Sequence, residues 1–376
     1  MKPMRPRLAM VSEEIRGDLI EPLRWVTRVE LLHFYRHASY GDLDPEALAD
    51  PSLRRYRGPA DLLRALARAR PDLLQGVDPF ALRLMPILYT VFAVSRILGR
   101  PLLLVTLENR PLPIKYGQGA RLLRPLLRPV FRWARRIVVL NEGARANVRW
   151  IGPFEGKTER RMYGTWGVDL ERFTPERDGR EPDFGPGPVL LFVGRLVEEK
   201  GVRDLMQAFP RVRARFPQAG LVLIGGGPLR AELEALSRRP PWAGAVRMLG
   251  PVRHQELPPY FRAADLVISP SRTTRKWAEQ VGMVNLQAMA CGVPVITTRS
   301  GAIPEYVPDG VAGRLVPEGD PEALADAILA LLEDDALRHR LGRQGRTYAL
   351  AHYDARQHVA AAEALWLALA SPEAMP

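Results

Sequence analysis

Short runs of Val, Leu and Ile recur along the whole chain, each followed by a longer stretch of helical periodicity, and that alternation points to parallel sheets with crossover helices. In the first half the candidate strands are Leu8 to Ser12, Val29 to Phe34, Asp72 to Leu74, Leu102 to Thr106 and Ile137 to Leu140. In the second they are Val189 to Val193, Leu221 to Ile224, Val246 to Leu249, Leu266 to Ser269, Val295 to Thr297 and Arg314 to Val316. Between the halves TPERDGREPDFGPGP, Thr174 to Pro188, has the proline, glycine and charge content of a linker. The expected organisation is two doubly wound α/β domains, residues 1–176 and 188–352, a linker at 177–187 and a terminal helix in 353–376. Ligands of such sheets bind beyond the carboxyl ends of the strands, so a site is expected in the crevice between the two sheets.

With 376 residues, 47% of them hydrophobic, the chain can bury a sizeable core for each domain. A single cysteine, Cys291, forms no intramolecular disulfide and no thiolate metal cage, which suits a reducing compartment. The six histidines stand in no metal-ligand spacing, so no metal is expected. The N-terminus reaches acids before any signal-peptide apolar core. The most apolar stretch, Leu84 to Ser95, stops at Arg96, short of the roughly 20 residues a membrane span needs.

Three segments carry candidate chemistry. In Val193-Gly194-Arg195-Leu196-Val197-Glu198-Glu199-Lys200-Gly201 a strand exits through a glycine and two cations follow on one loop. Arg195 and Lys200 there suit a diphosphate, and equally suit a solvated surface beside Glu198 and Glu199. In Ile224-Gly225-Gly226-Gly227-Pro228 the glycines, Gly225 and Gly227 among them, permit close backbone approach to a ligand or simply a tight turn. In Glu279-Gln280-Val281-Gly282 a helix opens at Gly282 and runs from Met283 to Ala290, with Gly292 and Pro294 ending it. The backbone N–H groups of Gly282, Met283 and Val284 then form an anion-binding end. Glu279 just ahead is either an acceptor for sugar hydroxyls or a helix-start acid favoured by the dipole.

From VLLFVGRLVEEKG through LVLIGGGP, VRMLGPV, ADLVISPS, EQVGMVNLQAMACGVPVITT and GAIPEYVPDGVAGRLV, the second half resembles the donor-binding domain of the retaining GT-B glycosyltransferases, family 4. Gly167 to Pro175 resembles the family's approach between domains, whereas residues 1–160 match in architecture alone. The resemblance implies the GT-B fold, two Rossmann-like domains facing across a cleft, with the C-terminal helix crossing back to the first domain. It also implies metal-independent transfer of a sugar, with retained configuration, from a UDP- or GDP-linked donor to a hydroxyl of a lipid-linked or envelope glycan. Arg195, Lys200 and Glu279 would carry the chemistry. Gly194, Gly225, Gly227, Pro251, Val252, Gly282, Met283 and Val284 would line the donor, and position 287 would hold the ribose.

The chain departs from the family at three places. Gln287 stands where glutamate is usual, which removes a charge-assisted bond and keeps a GT-B sugar-nucleotide epimerase or an inactive homologue as the alternative. The loop after the first strand carries Glu13 and Glu14 where glycines are frequent, and acids there repel a diphosphate, so either this loop turns toward the acceptor, with Glu13 as an acceptor candidate, or the donor is held mainly by the second domain. Glu108 and Asn109 follow the strand after which a histidine is frequent, and both are acceptor candidates.

The net charge of +12 resides in residues 1–180, which hold 32 Lys and Arg against 20 Asp and Glu, whereas residues 181–376 hold 22 of each. From Asn109 to Asn141 there is no acid. Leu123, Leu127 and Val130 share one helical side there, flanked by Arg121, Arg124, Arg128 and Arg132, with Pro125 and Pro129 expected to interrupt the helix. Arg121 to Arg136 therefore reads either as a peripheral contact for anionic membrane or as a crossover helix whose arginines lie over the sheet. The expected location is cytoplasmic, and on the first of these readings peripheral on the inner membrane face. No nucleic-acid module is present, and nucleic acid is not an expected partner.

Overall fold

The computed structural model describes residues 5–38, 43 and 45–371. The chain divides into two compact units, one built from the described residues up to Gly167 together with those from Ala355 onward, the other from Val168–Asp354.

The first unit contains β1 (Arg7–Val11), β2 (Glu14–Ile15), β3 (Glu30–Tyr35), β4 (His37–Ala38), β5 (Leu53–Arg55), β6 (Leu73–Gln75), β7 (Leu102–Thr106), β8 (Arg136–Val139) and β9 (Thr158–Arg160). Seven of these form one parallel sheet in the order β5-β3-β1-β6-β7-β8-β9, and β2 pairs separately with β4. The order reverses direction between β1 and β6, and the carboxyl ends of those two strands define the unit's ligand position. Helices α1 (Pro59–Ala69) and α2 (Met85–Leu98) pack apolar faces on the sheet, burying Leu62, Leu66, Leu88 and Val91 completely.

Helix α3 (Ala120–Trp133) runs unbroken through Pro125 and Pro129. Both prolines lie on its exposed face, where the carbonyls they leave without helical donors reach water, while Leu123, Leu127 and Val130 are buried. Two of its arginines serve α4 (Glu142–Ile151): Arg124 donates to the Trp150 carbonyl at 2.8 Å and Arg128 to that of Ile151 at 2.9 Å. Cations at the last carbonyls of a helix complement its dipole.

The second unit contains β10 (Val189–Val193), β11 (Gly220–Ile224), β12 (Val246–Gly250), β13 (Leu266–Ser269), β14 (Val295–Thr298) and β15 (Gly313–Val316), parallel throughout in the order β12-β11-β10-β13-β14-β15. This is the doubly wound order, and its switch point lies between β10 and β13. Helix α5 (Val202–Arg215) follows β10, and α6 (Met283–Ala290) lies between β13 and β14. Helices α7 (Pro321–Glu333) and α8 (Asp335–His352) complete the unit. Its core is apolar, with Leu190, Leu205, Phe209, Leu221, Ile268 and Ile296 without solvent contact.

Residues 177–187, linker-like in composition, are part of this second unit. The buried Arg262 guanidinium donates to Asp178 and to Glu181, both at 2.7 Å, and Phe184 packs on Tyr260. The chain crosses between units at Gly167/Val168 and again at Asp354/Ala355, after which α9 (Ala355–Ala370) packs within the first unit. There the Glu363 carboxylate, itself buried, accepts from the backbone N–H groups of Thr27 and Arg28 at 2.8 and 2.6 Å.

Candidate functional site

In the second unit the loop leaving β10 ends in a short turn at Glu198–Lys200, and the segment leaving β13 runs through Ser271 and Trp277 to Glu279. These are the two strands that flank the switch point, so backbone topology alone brings Lys200 to Glu279. The Lys200 ammonium lies 2.6 Å from Glu279 Oε2, the same oxygen that accepts the Ser271 hydroxyl at 2.9 Å. Glu279 is 8% exposed. Burial pushes its carboxyl upward, but the Lys200 charge and hydrogen bonds from Lys200, Ser271 and the Gln280 backbone outweigh this and hold it below the ordinary carboxylate range. A buried acid next to a cation is thus kept ionised, as an acceptor-only group.

Past Glu279 the chain turns through Gly282, whose φ of +75° is left-handed backbone that a side chain disfavours, and α6 begins at Met283 with no side chain capping it. Asn285, in the first turn and wholly buried, reaches Thr297 Oγ1 at 3.4 Å. Gln287, also buried, has its Nε2 2.9 Å from His254 Nε2, and the His254 ring packs on Phe173 with centroids 5.2 Å apart.

Arg195 does not join Lys200. It is 39% exposed in its side chain and stands 3.5 Å from Glu199 on its own loop. The glycines have a structural duty: a Cβ at Gly225 would lie 1.9 Å from the Gly194 carbonyl oxygen, and one at Gly227 2.5 Å from that of Leu196. Close strand-loop packing therefore requires them whatever ligand they meet. Pro251 and Val252 follow β12, with Pro251 beside Gly226.

In the first unit the acceptor candidates occupy separate strand ends. Glu108, after β7, is buried and paired with Lys115. Its loop is pinned by Asn147, whose amide donates to the Glu108 and Arg110 carbonyls at 2.7 and 2.9 Å, and by Asn141, whose amide donates to that of Leu107 at 2.9 Å. Asn109 backs onto Gly143. Glu13, after β1, is held by Arg83 at 2.7 Å. Sequence reading passed over Asp78, after β6, whose carboxylate accepts from Thr106 and from the Phe80 and Leu107 backbone. Burial, then the nearby Glu108 charge, raise its pKa to about 6 against those hydrogen bonds. It also passed over the contact between Ser12 and His33, whose imidazole burial lowers to about 4 and so keeps neutral. Among the described residues no group of three or more His, Cys, Asp or Glu is placed to hold a metal ion.

Residues 175–348 match the family model described as glycosyl transferases group 1. A GDP-mannose-dependent alpha-(1-6)-phosphatidylinositol monomannoside mannosyltransferase of Mycolicibacterium smegmatis is 36% identical over 197 residues, 50% of this chain and 52% of that one. A D-inositol 3-phosphate glycosyltransferase of Corynebacterium jeikeium is 37% identical over 213 residues, 53% of this chain and 49% of that one. The chain spans about half the length of the curated relatives it matches. In fold it is similar to sucrose-phosphate synthase from Thermosynechococcus elongatus, with TM-score 0.76, 22% identity and 97% and 99% of the two chains covered. It is also similar to Anabaena HepE solved with UDP and glucose, with TM-score 0.73, 20% identity and 97% and 100% covered. These neighbours share the GT-B fold.

Proposed function

We propose, from the match of residues 175–348 to the group 1 glycosyl transferases, that the chain transfers a hexosyl group, with retained configuration, from a nucleoside-diphosphate sugar to a hydroxyl of a lipid-linked or glycan acceptor. The observation that carries the reading is the Lys200–Glu279 pair at the switch point, beside the uncapped start of α6. A departing diphosphate gains negative charge in the transition state, and a preorganised ammonium with helix N–H groups is worth most at that moment. Ionised Glu279 accepts from hydroxyls of the sugar. Lys200 and Glu279 satisfy each other until donor takes one from the other. Arg195, on the same loop as Lys200, adds a second cation for the phosphates, and the reading needs no metal. Glu13, Glu108 and Asn109 are assigned to the acceptor side. The GDP-mannose dependence in the name of one relative supports a GDP-linked donor.

A thermal-shift panel of GDP-mannose, UDP-glucose and an ADP-sugar tests this. A donor at 100 times its dissociation constant adds about 2.7 kcal/mol of stability, so one of the three is expected to raise the melting temperature, and none doing so would overturn the reading.

The reading extends to peripheral contact with the anionic cytoplasmic membrane face through Arg121 to Arg136. It is supported by Arg121, Arg132 and Arg135 exposed on or beside α3 and by Leu122 and Leu126 at 67% and 46% exposure. Among the described residues no helix is long and apolar enough to cross a membrane. Co-sedimentation with liposomes is expected to be strong with anionic lipid, weak without it and reduced by high salt. Equal pelleting with neutral and anionic vesicles would remove the membrane contact.

A further inference from the structure

Trp277 stands beside the Lys200–Glu279 pair and has no part in the chemistry assigned so far. Its ring centroid lies 5.0 Å from Lys200 Nζ, and only Ala278 separates it from Glu279 in the chain. The segment that presents it is fixed at several points. The Thr274 N–H donates to the Trp277 carbonyl at 2.7 Å and the Trp277 N–H to Thr274 Oγ1 at 3.0 Å, closing a turn. Thr273 donates to Glu318 from its hydroxyl at 2.7 Å and lies 3.0 Å from the Ser300 hydroxyl. The Arg272 N–H donates to the Glu199 carbonyl at 2.8 Å, which ties this segment to the loop that carries Lys200. Arg272 also clamps the buried Asp204 at the start of α5. Ala278 is 4% exposed, yet the much larger Trp277 is only half-buried.

An aromatic ring of that size left partly in water, on a segment held this firmly, keeps an apolar surface open beside the Lys200–Glu279 pair. A pyranose presents hydroxyls at its rim and C–H groups on its faces. A carboxylate for the rim beside an indole for the face is complementary to a sugar. We propose that Trp277 is a substrate-contact residue whose indole receives the C–H face of the transferred sugar while Glu279 takes its hydroxyls and Lys200 the phosphate. This rests on the donor reading above and goes beyond it, because it divides the donor between two sets of residues. When Lys200 turns from Glu279 toward phosphate, it also leaves the indole face, so one movement of the ammonium opens both sugar contacts.

The test is calorimetric titration of the full chain, as wild type, Trp277→Ala and Trp277→Phe, with GDP-mannose against GDP and UDP-glucose against UDP. For whichever pair the wild type binds, Trp277→Ala is expected to weaken the sugar nucleotide about tenfold, the scale of one aromatic contact, and to leave the nucleoside diphosphate within about twofold. Trp277→Phe recovers most of the loss. Undiminished nucleoside diphosphate binding also shows that the unit is folded. In a second measurement the sugar nucleotide, and not the nucleoside diphosphate, changes tryptophan fluorescence in the wild type, and the change is absent in Trp277→Phe. Equal weakening of both ligands would mean that the ring acts only by screening the Lys200–Glu279 pair and would overturn the proposal alone, as would unchanged affinity for both. A wild type that binds neither sugar nucleotide overturns the donor reading as well.

Discussion

Lys200→Ala is expected to lower sugar transfer by about 10²–10³-fold, the cost of removing one preorganised positive group from a site where charge develops. The same substitution destabilises the protein, by a separate route. Lys200 and Glu279 are 22% and 10% exposed in their side chains, and removing one partner of such a pair leaves the other buried and uncompensated, at about 3–5 kcal/mol. The pH dependence gives the second effect a sign. In the wild type the folded Glu279 titrates below its ordinary value, so its contribution to stability is full above the unfolded carboxylate pKa and is lost as pH falls through the folded one. Without Lys200, burial is opposed only by the hydrogen bonds from Ser271 and the Gln280 backbone, and the folded pKa is expected to move above the unfolded one. The variant is then penalised as pH rises through the carboxylate range. Urea midpoints are expected to differ more between wild type and Lys200→Ala at pH 8 than at pH 4. The double substitution Lys200→Met with Glu279→Gln separates the two effects, since it removes both charges: stability recovers toward the wild type and transfer does not. A double variant that regained transfer along with stability would make the pair structural, and the catalytic assignment would go with it.

Why the pair forms explains how far the chain can be read without coordinates. Strands buried on both faces of a parallel sheet are continuous apolar runs, so β10, β11, β13 and β14 are legible, as are β1, β3, β6, β7 and β8, while the edge strands β12 and β15 are legible through Val246, Met248, Leu249, Leu315 and Val316. The edge strands β5, LRR, and β9, TER, are not, because an edge needs only one apolar neighbour and charged residues are favoured there. Lys200 and Glu279 each stood out on a loop after a strand, but they are 79 positions apart, and only the strand order makes β10 and β13 neighbours. Ser271 and Trp277 lie on an irregular segment, where neither a period of 2 nor one of 3.6 marks a residue. Composition misread 177–187 for a related reason: Arg262, which anchors Asp178 and Glu181, lies 84 and 81 residues away. Pro125 and Pro129 argued for a broken helix, and the solvent-facing register that tolerates them is a tertiary fact.

Trp366→Ala is expected to cost about 3–5 kcal/mol, the range for deleting a large buried aromatic side chain. Trp366 is among the largest fully buried side chains in the chain, at 1% exposure, and sits on α9 inside the first unit. Its ring meets Tyr163 edge to face, centroids 6.2 Å apart and planes at 82°. Its Nε1–H donates to the Tyr163 hydroxyl, which in turn donates to Gln75 Oε1 at 2.8 Å. Burial holds the Tyr163 phenol far above its ordinary pKa, so this relay stays neutral and hydrogen-bonded at any working pH. Gln75 ends β6, one of the two strands at the first unit's switch point, so the terminal helix is joined to the sheet where its ligand end begins. Trp366→Phe keeps most of the volume and deletes the donor, and about 1 kcal/mol is expected for it, the net worth of one hydrogen bond. The difference between the two variants is therefore the packing contribution, read from urea denaturation midpoints at constant slope. Donor affinity is expected to be unchanged in both, because the Lys200–Glu279 pair and α6 belong to the other unit. Were Trp366→Ala as stable as the wild type, burial of this ring would not be what fastens α9, and the Glu363 carboxylate with its two backbone donors would have to hold the helix alone.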